Sequence, residues 1–119
     1  MTSHETKRLT LVRDLLELSK PLEEIVPQLA VLDLDYEGDG IELKKKHLTL
    51  ALQRYLQGVL SHSDIESWAN QIEGREDVQF ESGCEQLVEE VLYELANPDL
   101  TKPLNQPRAR MLIDRFSIS

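Results

Sequence analysis

The chain has 119 residues, 40% hydrophobic and 29% charged, which suits one domain with its own core and is too apolar for wholesale disorder. Its single cysteine, Cys84, excludes an internal disulfide framework. With no signal-like or membrane-length apolar run, a cytoplasmic protein is expected. The net charge is −9, and residues 61–100 hold eleven acids against Arg75 alone, a density that disfavours nucleic-acid phosphates and anionic membranes and favours a basic protein partner.

Helical periodicity dominates the chain from its start. Leu9, Val12, Leu15, Leu16 and Leu18 fall at three- and four-residue spacings, predicting an amphipathic helix over 6–18. Pro21 suits the first turn of a second helix with Leu22, Ile25, Val26, Leu29 and Ala30 on one face. Pro27 should kink or shorten it, because it removes a backbone donor. Residues 33–40, Asp-Leu-Asp-Tyr-Glu-Gly-Asp-Gly, read as a loop, and the flanks Val31–Leu34 and Ile41–Leu43 have the composition of a minor hairpin. The loop fails as a calcium site: Asp33, Asp35, Glu37 and Gly38 fit, but position 12 is Lys44, where the strongest anion belongs.

A third helix is predicted over 44–57, with Leu48, Ala51, Leu52, Tyr55 and Leu56 inward and Gly58 as its stop. Ser61-His62-Ser63-Asp64 resembles a capping box and opens a fourth helix, with Ile65, Trp68, Ala69 and Ile72 on one stripe. Ser82-Gly83-Cys84-Glu85 repeats that logic for a fifth, whose buried face is Leu87, Val88, Val91, Leu92 and Leu95. Pro98, Pro103 and Pro107 stiffen the following connection. A last helix over about 106–116 takes Asn105 as its cap. The expectation is an all-α, single-domain bundle of five or six helices over 1–119, with the minor hairpin near 31–43.

Chemistry is sparse. His4, His47, His62 and Cys84 show no metal-ligand spacing, and there is neither a phosphate-cradling glycine loop nor a nucleophile elbow. No catalytic residue, metal or cofactor is therefore expected. Lysines 44–46 oppose protonation of His47, and Glu81 with Glu85 favour the protonated thiol of Cys84. Trp68, Tyr55 and Tyr93 are expected in the core. The notable feature is acid on the fourth and fifth helices. Glu81, Glu85 and Glu89 recur every four residues, Glu90 and Glu94 form a second pair, and Glu66 and Glu73 lie a heptad apart. Like charges at such spacing cost a helix roughly 0.2–0.5 kcal/mol per pair. Glutamate's helix propensity and compensation by Arg75, Arg108, Arg110 and Arg115 are the plain explanations; an acidic binding face is the functional one.

Tyr55-Leu56-Gln57-Gly58-Val59-Leu60-Ser61, with Ile65 and Trp68-Ala69, resembles small bacterial immunity proteins of the colicin D and contact-dependent-inhibition kind. The likeness spans about 48–74 and, more loosely, 85–96. It implies a non-enzymatic helical inhibitor that occludes the basic site of a nuclease-like toxin. Trp68 to Asp77 also resembles a stretch in uncharacterised bacterial proteins. On this reading Glu66, Glu73, Asp77, Glu85 and Glu89 face the partner. The alternative is a helical interaction or regulatory module, such as a homodimer, whose acids are only a solvated surface.

Overall fold

The computed structural model of the protein describes residues 3–31 and 40–118. Among these residues six helices and a two-stranded sheet follow in the order α1 (Ser3–Glu17), α2 (Leu22–Leu29), β1 (Ile41–Leu43), α3 (Lys45–Leu56), α4 (His62–Ile72), β2 (Val78–Phe80), α5 (Glu85–Ala96) and α6 (Gln106–Ile118). The all-α bundle expected from periodicity is what forms. α3 lies mainly along α6, and α4 along α5. No helix among the described residues is long and apolar enough to cross a membrane.

The helical stripes converge on one core. Val12, Leu15, Leu16, Ile25, Leu48, Leu52, Ile65, Trp68, Val88, Val91, Leu92 and Leu112 are all buried there. Trp68 belongs to it as expected, and its Nε1 donates to the Leu15 carbonyl at 2.7 Å. That carbonyl lies in the last turn of α1, where intrahelical donors run out. Arg54 serves the same turn from α3 by donating to the Leu18 carbonyl at 2.7 Å. Leu18 itself sits at φ 53°, a left-handed C-terminal stop usually made by glycine. Its side chain is nonetheless buried, so apolar burial offsets the backbone strain.

Caps follow the sequence in two of three cases. Ser61 Oγ accepts from the Asp64 amide at 3.1 Å, and Asp64 Oδ2 accepts from the Ser61 amide at 2.9 Å. Asn105 Oδ1 accepts from the Arg108 amide at 2.9 Å and starts α6. The expected Ser82 cap does not form. α5 begins at Glu85 with Cys84 in the N-cap position, and the Glu85 carboxylate reaches back to the Gly83 amide at 3.0 Å. Pro27 lies inside α2, which ends two residues later after only two turns.

The segment Ile41–Leu43 is a strand, but its partner is β2. The two pair in parallel, with Ile41 beside Val78 and Leu43 beside Phe80. A parallel pair needs a long crossover, which α3 and α4 supply. The other flank of the expected hairpin, and the Asp33 loop, fall almost entirely at 32–39, outside the described residues. Gly40 closes the pair from the N-terminal side. A Cβ there would lie 2.4 Å from the Asp77 carbonyl oxygen, so the close approach of the two strands requires glycine.

Candidate functional site

The eleven acids of residues 61–100 do not form one surface. Asp77 is the clearest departure from expectation: it is fully buried and cannot face a partner. Its Oδ1 accepts from Arg75 Nε at 2.8 Å and its Oδ2 from Arg75 Nη2 at 3.1 Å and Arg8 Nη1 at 2.9 Å. The lone base of the acid block is thus consumed by a carboxylate two residues away, and Arg8 of α1 completes the cluster. A carboxylate this deep requires such partners, because an unpaired buried charge is too costly to keep.

Other acids serve neighbouring backbone or cations. Glu81 leaves the expected helical row, since it lies ahead of α5. Its Oε1 accepts from the Lys45 amide at 2.8 Å, capping α3 from another part of the chain. That bond, first among its causes, holds the Glu81 carboxyl below its ordinary range, aided by Cys84 and Lys45. His47 supports the same helix start by accepting from the Lys44 amide at Nδ1, 2.9 Å away. Burial first, and then Lys46, lowers the His47 pKa. Cys84 is half-buried, and burial followed by Glu81 raises its thiol pKa.

On the side of α5 turned to α6, Glu94 is gripped by Arg108 at 2.6 and 2.7 Å. This bond raises the Arg108 pKa. Glu90 takes a looser, more exposed bond from Arg115 at 3.2 Å. Compensation by the C-terminal arginines therefore operates, but only at these two carboxylates among the acids of residues 61–100.

What remains acidic is a groove between the end of α4, β2 and α5. It has a volume of about 560 Å³ and is lined by Glu73, Arg75, Val78, Phe80, Glu89, Glu90 and Tyr93, with Gly74 at its end. Glu89 is exposed and no described side chain pairs with it. Among the described residues, Glu73 accepts only long bonds from Asn97 Nδ2, at 3.3 and 3.4 Å. Tyr93, expected in the core, is 47% exposed on the groove side of α5. Two of the five sequence-predicted residues, Glu73 and Glu89, thus meet here.

The others lie apart. Glu66 sits about 10 Å from Glu73 along α4, lining a separate hollow of about 310 Å³ with His62, Leu95, Asp99 and Pro103. Glu85 is exposed beside a hollow it shares with Glu90 and Arg115. The groove residues that sequence reasoning missed are Glu90 as a rim residue, Tyr93, Val78 and Phe80. Tyr93 had a usable signal, because it follows Glu89 by four residues on the same face. Val78 and Phe80 had none beyond a three-residue alternation.

No family model, curated protein or solved structure matches the chain. The groove's chemistry is therefore the ground for a functional reading. Two or three carboxylates around an aromatic and aliphatic floor suit a cationic side chain with an apolar stem, such as arginine or lysine.

Proposed function

We propose that the chain is a non-enzymatic, immunity-type binding protein that occludes the basic site of a nuclease-like toxin in the cytoplasm. The observation that carries this reading is the groove rim, where Glu89 has no cation partner among the described residues and stands beside exposed Tyr93. Glu73 adds to its field, and Glu90, already paired with Arg115, adds less. Exposed ion pairs contribute only about 0–1 kcal/mol each, so the carboxylates steer and orient the partner. Affinity comes from burying Tyr93 and Phe80, the kind of aromatic anchor that dominates binding sites. Inhibition is steric and electrostatic, without turnover. Glu66 and Glu85 extend the negative field outside the groove.

The test begins with a toxin-like reading frame beside the gene. Its basic product should bind the chain in a salt-sensitive manner and lose its activity. Glu73→Lys with Glu89→Lys should weaken capture at least about tenfold, a loss typical of truncated hot spots. Absence of such a neighbour, or capture indifferent to both reversals, rejects the reading. A second reading, a homodimeric regulatory module, draws on the exposed apolar side chains Val59, Leu100 and Met111 outside the groove. It predicts a mass that rises with concentration and is indifferent to the same reversals.

A further inference from the structure

β2 has a free edge. The Ile41 amide donates to the Asp77 carbonyl at 2.9 Å and the Glu81 amide to the Leu43 carbonyl at 3.0 Å. In a parallel ladder main-chain groups point alternately to the two sides of a strand. Residues 77, 79 and 81 therefore address β1, and Val78 and Phe80 turn their N–H and C=O groups the opposite way. Among the described residues nothing pairs with those outward groups. Val78 and Phe80 are also only half-buried, and both line the acidic groove.

Two further facts bear on this edge. Parallel strands are normally enclosed within larger sheets, and a sheet of only two strands is marginal in water. Among the described residues this one has two, of three residues each. The edge also carries no lysine or proline of the kind that guards an exposed strand: β2 reads Val-Gln-Phe. An unguarded edge beside unneutralised carboxylates has both the backbone and the charge to receive an extended basic segment.

We infer that the outer edge of β2 is a strand-addition site for an extended, arginine- or lysine-bearing segment of a basic protein partner. This rests on the binding reading above and names how the groove is filled. The incoming main chain bonds to Val78 and Phe80. Its side chains alternate, so one set, spaced roughly 6.6 Å apart, lies over Phe80 and Tyr93 with cationic ends toward Glu73, Glu89 and Glu90. The other set points to solvent on the side of Gln79. A second copy of this chain is the poorer occupant, because pairing two such edges about a two-fold axis brings identical acidic rims together.

The test uses a blocked seven-residue peptide alternating arginine and valine, titrated into the whole protein. Two analogues carry backbone N-methyl groups, one on every arginine and one on every valine. Strand addition uses only one set of amides. One analogue should therefore lose at least about tenfold in affinity, since a main-chain bond is worth close to that factor, while the other stays within about twofold. The amide hydrogens of Val78 and Phe80 should slow in exchange on binding, with that of Gln79 unchanged. Val78→Pro removes an outward donor without touching the β1 ladder and should also weaken binding about tenfold. The analogues need no protein variant and decide the matter even where the proline variant misfolds. No binding by the parent peptide, equal binding by both analogues, or an increase in protein mass that Val78→Pro abolishes overturns the inference. Binding that Glu89→Lys weakens while both analogues match the parent retains the acidic groove and removes strand addition. Methyl-sensitive binding that ignores Glu73→Lys and Glu89→Lys removes the groove instead.

Discussion

The two sides of α5 carry similar acids and meet different fates. Toward α6, Glu94 lies under the forked guanidinium of Arg108, at 2.6 and 2.7 Å, and both side chains are largely covered. Toward β2, Glu89 is exposed with no cation partner among the described residues, and Glu73 lines the same groove. In the sequence Glu89 and Glu94 lie close together on one helix. In space, rotation about the helix axis sends one carboxylate to an arginine and the other to an open rim. Acid density alone therefore overstates a binding surface; what counts is which carboxylates the fold leaves without partners.

The largest effect comes from removing the cluster that anchors the groove side. Asp77→Ala leaves Arg75 buried and unpaired, which should cost about 3–5 kcal/mol in denaturant unfolding. The α5–α6 side contains no member of that cluster. Gly40→Ala strikes the same region from the other strand. Its Cβ meets the Asp77 carbonyl at 2.4 Å, so β1 must shift, at about 1–3 kcal/mol as for overpacked sites. Faster amide exchange at Ile41 and Glu81 should accompany that loss.

Two isosteric changes separate the two sides of α5. Glu94→Gln breaks a forked, largely covered pair and should lower stability by about 1 kcal/mol. Glu89→Gln removes a charge with no described partner and should leave stability within about 0.5 kcal/mol. Equal effects from the two would erase the distinction between the sides. The smallest expected effect is a pH dependence at the start of α3. The His47 pKa is lowered by burial from 6.5, so the folded state holds fewer protons there than the unfolded chain. Its contribution is complete above that value and is lost as pH falls through the folded pKa. Glu81 behaves likewise below 4.5, its ordinary value, because its carboxylate caps the Lys45 amide. His47→Gln should flatten the first decline and leave the second.

The helices were legible because their signals are local: three- and four-residue spacings, the Ser61–Asp64 box and the Asn105 cap all form. β2 was not, because three residues whose partner lies more than thirty positions earlier leave no local trace. Missing β2 also hid the burial of Asp77, which sits where Gly40 and Arg8 arrive from distant segments. The site was half legible. Glu73 and Glu89 stood out by spacing, whereas placing Glu66 and Glu85 outside the groove requires knowing how α4, α5 and α6 cross.

On the proposed reading, cation recognition resides in the groove rim and not in the net negative charge. The most direct measurement is the affinity of the basic product of the neighbouring toxin-like reading frame for two charge-matched variants. One carries Glu73→Lys and Glu89→Lys; the other carries Glu23→Lys and Glu24→Lys on α2, where both acids are exposed. Recognition at the rim predicts at least about tenfold weaker binding for the first and a change within about twofold for the second. Equal losses in both variants would contradict it.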